Sequence, residues 1–224
     1  MKKANKKVNA SIIIIGNEIL SGRTQDVNVV SISKWLNKLG VKVEEVRTIP
    51  DLEDSIVKTI NDVKKKFKYI FTTGGIGPTH DDITSRSMAK AFKLSYGYHK
   101  EAYKILEKYY GTEKFNEGRK KMAKLPGNAI LINNPSSIAP GFIVDNVYCL
   151  PGIPSILKSM LGELNNKIVG GKKILSKTIN LKTIESEIAL PLGKIQKKFN
   201  NTEIGSYPFI KQGEVGVSIV IRST

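Results

Sequence analysis

Residues 69–82 have the sequence YIFTTGGIGPTHDD, and this stretch sets the expected fold class. Its first five residues are typical of a short buried strand, and a helix is predicted from about Ile83 to Phe92. In an open α/β sheet, ligands bind beyond the carboxyl ends of the strands. Glycines let the backbone approach a ligand closely, and a helix N-terminus attracts phosphate. No Gly-Lys-Ser/Thr follows, so the segment predicts a phosphate-binding loop other than a Walker loop.

Strands and helices alternate on both sides of this loop. Ser11–Ile15 and Val41–Arg47 are predicted strands, and the helix between them has Asp26 as a suitable N-cap. This alternation predicts a three-layer α/β/α domain with a mainly parallel sheet. The GGKK segment at 170–173 suggests a break, so we expect one domain over 1–169 and a small C-terminal α/β subdomain over 170–224. This subdomain should have a strand near Ile174–Leu181, a helix from about Glu185 to Phe199, and two strands around Gly213.

Composition argues for a cytoplasmic protein. No apolar run approaches the roughly 18 residues of a membrane span, and only four apolar residues follow the basic N-terminus, too few for a signal peptide. Cys149 is the single cysteine, which fits a reducing compartment. The net charge is +16, but 31 of the 36 basic residues are lysines and they are scattered. This pattern favours a solvated surface over nucleic-acid binding.

Two adjacent carboxylates, Asp81 and Asp82, end the glycine loop. They would repel a phosphate unless a divalent cation (Mg, Mn or Co) bridged them, since such ions are held by one or two carboxylates plus substrate phosphates. We therefore predict that both bind a metal and that Asp82 is catalytic. The alternative is that Asp82 is only the N-cap of the following helix. Glu18, in the loop after the first strand, is a third candidate metal ligand.

Further candidates contact the substrate in this interpretation. They lie in four loops that we expect to converge on one cleft: Gly16–Gly22, Gly74–Asp82, Asn134–Gly141 and Pro151–Ser155. The first two should lie within about 15 Å of each other, the span of a normal ligand pocket. An alternative role for His80 is that of a general acid or base. The alternative for the polar residues of the Asn134 loop is that they stabilise a turn. The predicted substrate-binding residues are Gly16, Asn17, Gly74, Gly75, Gly77, Thr79, His80, Asn134, Ser136, Ser137, Pro151 and Gly152.

Five ordered motifs make the pattern recognisable. IIGNEILSGRTQDVN (14–28), TIPD (48–51), TTGGIGPTHDDIT (72–84), NPSSIAPGF (134–142) and LPGIPS (150–155) resemble the molybdopterin-binding-like domain of the CinA (competence/damage-inducible protein A) family. The same domain type occurs beside eukaryotic FAD synthases and, more distantly, in the MogA/MoaB molybdenum-cofactor enzymes. The resemblance covers about residues 10–165, and TIESEIA (183–189) and SYPF (206–209) extend it into the C-terminal region.

The resemblance implies function as well as fold. It implies a homo-oligomer, a dimer or trimer, with metal-dependent pyrophosphatase activity on a nucleotide such as ADP-ribose, and it suggests FAD as another substrate. It places two functional aspartates at Asp51 and Asp82, although Asp51 is also the natural N-cap of a predicted helix. The alternative function is a non-catalytic protein that binds molybdopterin or a nucleotide, so the expected partner is a small nucleotide or pterin ligand.

Departures from the family pattern limit these expectations. The chain ends at Thr224, which leaves no room for the C-terminal deamidase domain of full-length CinA, so no deamidase activity is expected. Where the MogA branch has an arginine before the loop aspartate, this chain has Asp81, which favours the CinA branch. Ile156 replaces an acidic residue that usually follows LPGIPS.

Overall fold

A computed structural model describes residues 8–173, 175–211 and 213–223. The basic N-terminal segment and Ile174, the predicted start of a C-terminal strand, lie outside these residues. The strands are β1 (Asn9–Ile15), β2 (Lys42–Ile49), β3 (Tyr69–Thr73), β4 (Tyr96–Tyr98), β5 (Lys124–Pro126), β6 (Ile130–Ile132), β7 (Gly141–Val144), β8 (Val147–Leu150), β9 (Leu175–Leu181), β10 (Thr202–Lys211) and β11 (Glu214–Ser223). The helices are α1 (Asn17–Leu20), α2 (Asn28–Lys38), α3 (Glu53–Val63), α4 (Thr84–Phe92), α5 (Lys100–Tyr110), α6 (Glu117–Lys121), α7 (Pro154–Glu163) and α8 (Glu185–Lys198).

The main sheet has six strands in the order β2-β1-β3-β8-β7-β6. The pairs β2-β1, β1-β3 and β3-β8 are parallel, and β8-β7 and β7-β6 are antiparallel. β1 and β3 are central, and both are buried along almost their whole length, as expected for parallel strands covered on two faces. The prediction of a mainly parallel sheet is confirmed.

Helices cover both faces of this sheet. Side chains of β1 alternate between the faces, so Ile13 and Ile15 join one apolar cluster and Ala10 and Ile12 the other. The first cluster includes residues of α3, α4 and α5. The second includes residues of α2 and α7. The three-layer α/β/α arrangement is therefore confirmed, and Cys149 is buried in it, where burial raises the pKa of its thiol to about 12.

The C-terminal region has the predicted order of strand, helix and two strands. β10, β11 and β9 form a separate three-stranded antiparallel sheet, in that order. Helix α8 precedes β10, and the Gln196 side chain bonds to the backbone of Thr202 and Ile204. The division of the chain at 169/170 stays a prediction.

Three predicted helix starts are wrong by one or two residues. α3 begins at Glu53 after Leu52 and α4 begins at Thr84 after Ile83. α7, for which Ser155 was the expected cap, begins at Pro154. At none of these three starts does a side chain at the N-cap position accept a backbone hydrogen bond. Asp51 and Asp82 therefore lie outside the helices that they were expected to cap.

Among residues 8–173, 175–211 and 213–223, no helix combines the length and apolar character needed to cross a membrane.

Candidate functional site

The carboxyl ends of four neighbouring strands, β2, β1, β3 and β8, lie at one edge of the main sheet. Adjacent strands in a sheet are about 4.8 Å apart, so the loops after them are neighbours. The first loop and the glycine loop are in direct contact, since a Cβ on Gly74 would lie 2.1 Å from the Ile15 carbonyl oxygen. A Cβ on Gly152 would lie 3.6 Å from the Gly74 Cα. Three of the four predicted loops thus meet at this edge.

Only some of the backbone groups of the glycine loop form hydrogen bonds within the fold. The Thr84 side chain donates to the Gly74 carbonyl (3.0 Å), and the Thr84 N–H donates to the Gly75 carbonyl (2.9 Å). In the part of the chain that the structure describes, the N–H groups of Gly75, Ile76 and Gly77 have no hydrogen-bond partner. Successive N–H groups that point into one concavity can bind an anion, so these three are the candidates for contact with a phosphate.

Asp81 and Asp82 converge on one residue of the same loop. The Thr79 hydroxyl lies 2.6 Å from Asp81 Oδ1 and 2.5 Å from Asp82 Oδ2, and the Thr79 N–H donates to Asp82 Oδ2 (2.8 Å). A hydroxyl carries one proton, so it can donate to only one of the two carboxylates at a time. The Thr79 hydrogen bond lowers the pKa of Asp81, the first of several causes. Asp82 therefore orders the loop, and its predicted alternative role as a helix cap is wrong.

Asp51 bridges two loops. Its carboxylate accepts a hydrogen bond from the Asn17 N–H (2.8 Å), at the start of the first loop. Burial raises the pKa of the Asp51 carboxyl, the Asn17 hydrogen bond lowers it, and the charges of Glu18, Asp81 and Asp82 raise it, with a net increase. Asp51 follows β2, Glu18 follows β1, and Asp81 and Asp82 follow β3, so four carboxyl groups lie in the loops at this edge of the sheet. The helix-cap interpretation of Asp51 is also wrong.

Glu18 folds back over the first loop. A Cβ on Gly16 would lie 2.6 Å from Glu18 Oε1, so the carboxylate is packed against the backbone beside Asn17.

We expect Asp51→Asn to change how stability depends on pH. A carboxyl whose pKa is raised in the folded state favours folding below its unfolded pKa, about 4, and this contribution is lost as the pH rises through the folded value. The amide keeps an acceptor for the Asn17 N–H but has no charge. The variant should match the wild type near pH 3 and exceed its free energy of unfolding by up to about 0.5 kcal/mol at pH 7, since solvent screens a partly exposed group. Urea unfolding from pH 3 to 8 measures this, and a variant that loses stability relative to the wild type as the pH rises would contradict it.

His80 is not held in place by the fold. Its side chain is 98% exposed, and its Nδ1 lies 3.9 Å from Asp81 Oδ1. It lies at the rim of the glycine loop, free to contact a ligand but not positioned as an acid or base.

The loop from Asn134 is directed inward. Asn134 is buried, its Oδ1 accepts from the N–H groups of Ser136 and Ser137, and its Nδ2 donates to Ser137 Oγ and the Ala139 carbonyl. Ser136 Oγ bonds to Ser159 Oγ of α7. These contacts occupy the Asn134 amide, so its predicted substrate contact is corrected to turn chemistry. The loop joins β6 to β7. Strand β8 lies between β7 and β3, the strand that leads into the glycine loop.

Lys121 and Asn28 were absent from the predicted site. Lys121 Nζ donates to the Thr79 carbonyl, and its charge helps to lower the pKa of Asp81. Asn28 Nδ2 donates to the Gly152 carbonyl (2.8 Å). Lys121 was one of the scattered lysines and lies 42 residues from Thr79, so local pattern contained no signal for it.

No preformed metal cage is present in the described residues, since no three or more His, Cys, Asp or Glu side chains are grouped so as to hold an ion. The predicted ligands Asp81, Asp82 and Glu18 thus do not form one by themselves.

Comparisons with known proteins agree with this fold. Residues 11–170 match the probable molybdopterin binding domain family, and residues 173–224 match the FAD synthase middle domain. The crystal structure of the protein CinA, of unknown function, from Thermoplasma acidophilum is 32% identical, with a TM-score of 0.68 over 73% of this chain and 99% of that one.

Two curated relatives extend the likeness along the sequence. A protein from Archaeoglobus fulgidus is 32% identical over 88% of this chain and 84% of its own length. A putative competence-damage inducible protein from Clostridium botulinum is 32% identical over 96% of this chain. The chain spans 55% of that second protein.

Proposed function

The chain belongs to the CinA-like members of the probable molybdopterin binding domain family, and we propose that it is a metal-dependent hydrolase of a nucleotide pyrophosphate bond. The substrate would be a small dinucleotide-like molecule such as ADP-ribose or FAD. FAD gains support from the match of residues 173–224 to the FAD synthase middle domain. The dimer or trimer implied by the resemblance stays a prediction.

One observation carries this proposal. Three unpaired N–H groups, from Gly75 to Gly77, adjoin Asp81 and Asp82, neither of which caps helix α4. An anion-binding backbone surrounded by negative side chains suits a phosphate only when a cation is bound too. The Thr79 contacts of Asp82 order the loop, but loop ordering does not balance the charge that two carboxylates place beside a phosphate.

The donor set fits a divalent cation of the hard type. Asp81 and Asp82 supply carboxylate oxygens, and these converge on a hydroxyl that can satisfy only one of them. Glu18 is a third oxygen donor on the neighbouring loop. When bound, such a cation would neutralise developing phosphate charge and lower the pKa of a bound water.

The protein's own residues have distinct roles in this scheme. The N–H groups of Gly75, Ile76 and Gly77 hold phosphate oxygens. Lys121, beside the Thr79 carbonyl, adds positive charge at the same loop. Asp51, whose pKa is raised mainly by burial, orients the attacking water and accepts its proton, because a raised pKa makes a carboxylate a better base.

A second candidate function is non-catalytic binding of molybdopterin or a nucleotide. The lack, among the described residues, of a three-ligand metal group favours it, because the same loop could bind a ligand without turnover.

Incubation of the pure protein with ADP-ribose, FAD and NAD, with and without Mg²⁺, Mn²⁺ or Co²⁺, separates the two functions. We expect AMP to be released from ADP-ribose or FAD only when metal is present, and a chelator to stop the release. Binding of these nucleotides with no cleavage under any metal would contradict the hydrolase and leave the binding protein.

A further inference from the structure

Strand β9 forms an exposed edge of the C-terminal sheet. In the described part of the chain it pairs with β11 on one side only, and all seven of its residues, Leu175–Leu181, are exposed. An edge strand presents a row of free N–H and C=O groups, which is a template for pairing with another strand. Natural proteins block such pairing with charges, proline, a bulge or a very short strand. β9 has no proline, one charged residue (Lys177) and an unbroken register with β11.

The other edges of the described sheets have these protections. β2, at one edge of the main sheet, has four charged residues among its eight and a register shift against β1. β6, at the other edge, has only three residues. β10, at the far edge of the C-terminal sheet, contains Pro208. β4 and β5 have three residues each. β9 is therefore the edge that the fold leaves open to a further strand.

The side chains of β9 extend the apolar face of this sheet to its open edge. Side chains alternate along a strand, so Leu175, Ile179 and Leu181 lie on one face. The β11 residues opposite the last two are Ile219 and Val217, and both are buried. The three β9 side chains are 71%, 42% and 38% exposed, in chain order. The apolar face thus begins in the core of the C-terminal sheet and ends in solvent.

A second copy of the chain fits this edge in one register. Antiparallel pairing about a two-fold axis keeps the apolar side chains of both copies on one face when odd-numbered residues face odd-numbered residues. With Thr178 on the axis, all seven residues pair, Leu175 faces Leu181, and Lys177 faces Ile179. Moving the axis by one residue in either direction shortens the pairing. Moving it to Lys177 also puts two lysines opposite each other, which is destabilising.

We propose that β9 pairs antiparallel with β9 of a second copy, so that two three-stranded sheets become one continuous sheet. The interface is isologous, with Thr178 on the two-fold axis. The order of apolar and polar residues along β9 reads almost the same in both directions, which a second copy matches by symmetry and an unrelated strand does not. The paired surface is small compared with stable complexes, so we expect association in the micromolar range. The inference does not rest on the proposed function.

Ile179→Lys tests the register through charge. In the dimer the introduced lysine lies opposite Lys177 of the second copy, at two symmetric positions, and facing like charges are destabilising. By analytical ultracentrifugation, the wild type should be a dimer at about 100 μM, and Ile179→Lys should raise the dissociation constant by about tenfold or more. The double variant Lys177→Glu/Ile179→Lys puts opposite charges in both facing pairs and should restore the dimer. Circular dichroism checks that each variant is folded.

Thr178→Cys gives a second readout, at the axis itself. Facing residues of an antiparallel pair have Cα atoms about 4.5 to 5.5 Å apart, which is within the span of a disulfide, so mild oxidation should link two chains. Cys149 is buried, and burial raises the pKa of its thiol, so it should not react. Val46→Cys is the matched control, because Val46 is an exposed residue of edge strand β2 and should stay unlinked.

Each outcome supports or overturns the inference. A wild type that is monomeric at this concentration overturns it and leaves the edge for a different protein. An oligomer that Ile179→Lys leaves intact overturns it too, because the interface then lies elsewhere. If the double variant folds but stays monomeric, the register about Thr178 is wrong. If Ile179→Lys does not fold, the cross-link decides, and a Thr178→Cys variant that links no faster than Val46→Cys overturns the pairing. Absence of nucleotide cleavage leaves all of these results unaffected.

Discussion

Asp82→Asn is expected to lower the rate of metal-dependent ADP-ribose cleavage by about 100-fold or more, with little change in melting temperature. The asparagine keeps an oxygen that can accept from the Thr79 N–H and hydroxyl, so the loop should keep its shape. What it loses is the negative charge that would hold a cation. A bound metal supplies several kcal/mol of transition-state stabilisation, and each 1.36 kcal/mol corresponds to a factor of ten in rate.

Two further Asp→Asn variants give this prediction its controls. Asp145 lies in the β7–β8 turn with φ of 54°, a conformation that asparagine also tolerates, so Asp145→Asn should leave rate and stability nearly unchanged. Asp81→Asn should lower the rate too, because Asp81 faces the same hydroxyl. If cleavage continues at the wild-type rate in both Asp81→Asn and Asp82→Asn, the carboxylates hold no catalytic metal and the loop is a binding device only.

Gly74→Ala is expected to cost roughly 3 to 5 kcal/mol of the free energy of unfolding. Gly74 has φ of 99°, which a side chain rarely adopts, and its Cβ would lie 2.1 Å from the Ile15 carbonyl oxygen. That oxygen belongs to the end of central strand β1, so it cannot move aside without disturbing the sheet. Urea unfolding monitored by circular dichroism measures the loss.

Gly22→Ala separates the cost of a positive φ from the cost of the Cβ contact. Gly22 also has a positive φ, 73°, but no atom lies within 4 Å of its would-be Cβ. It should therefore lose only the backbone term, roughly 1 to 2 kcal/mol. A Gly74→Ala variant no less stable than Gly22→Ala would mean that the first loop and the glycine loop do not touch as described.

Much of the fold could be predicted because its signals are local. Strand β3 has the ends that its apolar run predicted, and the two-residue turn between β7 and β8 falls at Asp145 and Asn146, a pair of turn-forming residues. An apolar run, a helical repeat or a turn pair is contained within a few residues. The same short range explains the confirmed order of elements in the C-terminal region.

The side-chain partners in the site could not be predicted in this way. Asp51 has the spacing of a helix cap, yet it bonds to Asn17, 34 residues earlier. Asn28 bonds to Gly152, 124 residues later. Such pairs form only when the sheet brings the strand ends together, so spacing along the chain does not reveal them. Asn134 shows the opposite case, because its partners are all within five residues, and the turn interpretation of that loop followed from local chemistry.

The most direct measurement of the central claim, that Asp82 and a bound pyrophosphate hold a cation together, is Mn²⁺ binding followed by electron paramagnetic resonance. Methylenediphosphonate serves as the pyrophosphate. Two carboxylates alone hold such an ion weakly, whereas carboxylates plus phosphates hold it well. The account predicts that the wild type binds Mn²⁺ weakly alone and at least about tenfold more tightly with the diphosphonate, beyond the affinity of the diphosphonate for Mn²⁺ in buffer, and that Asp82→Asn loses this gain. The same Mn²⁺ affinity in the wild type and in Asp82→Asn, with the diphosphonate present, would contradict it.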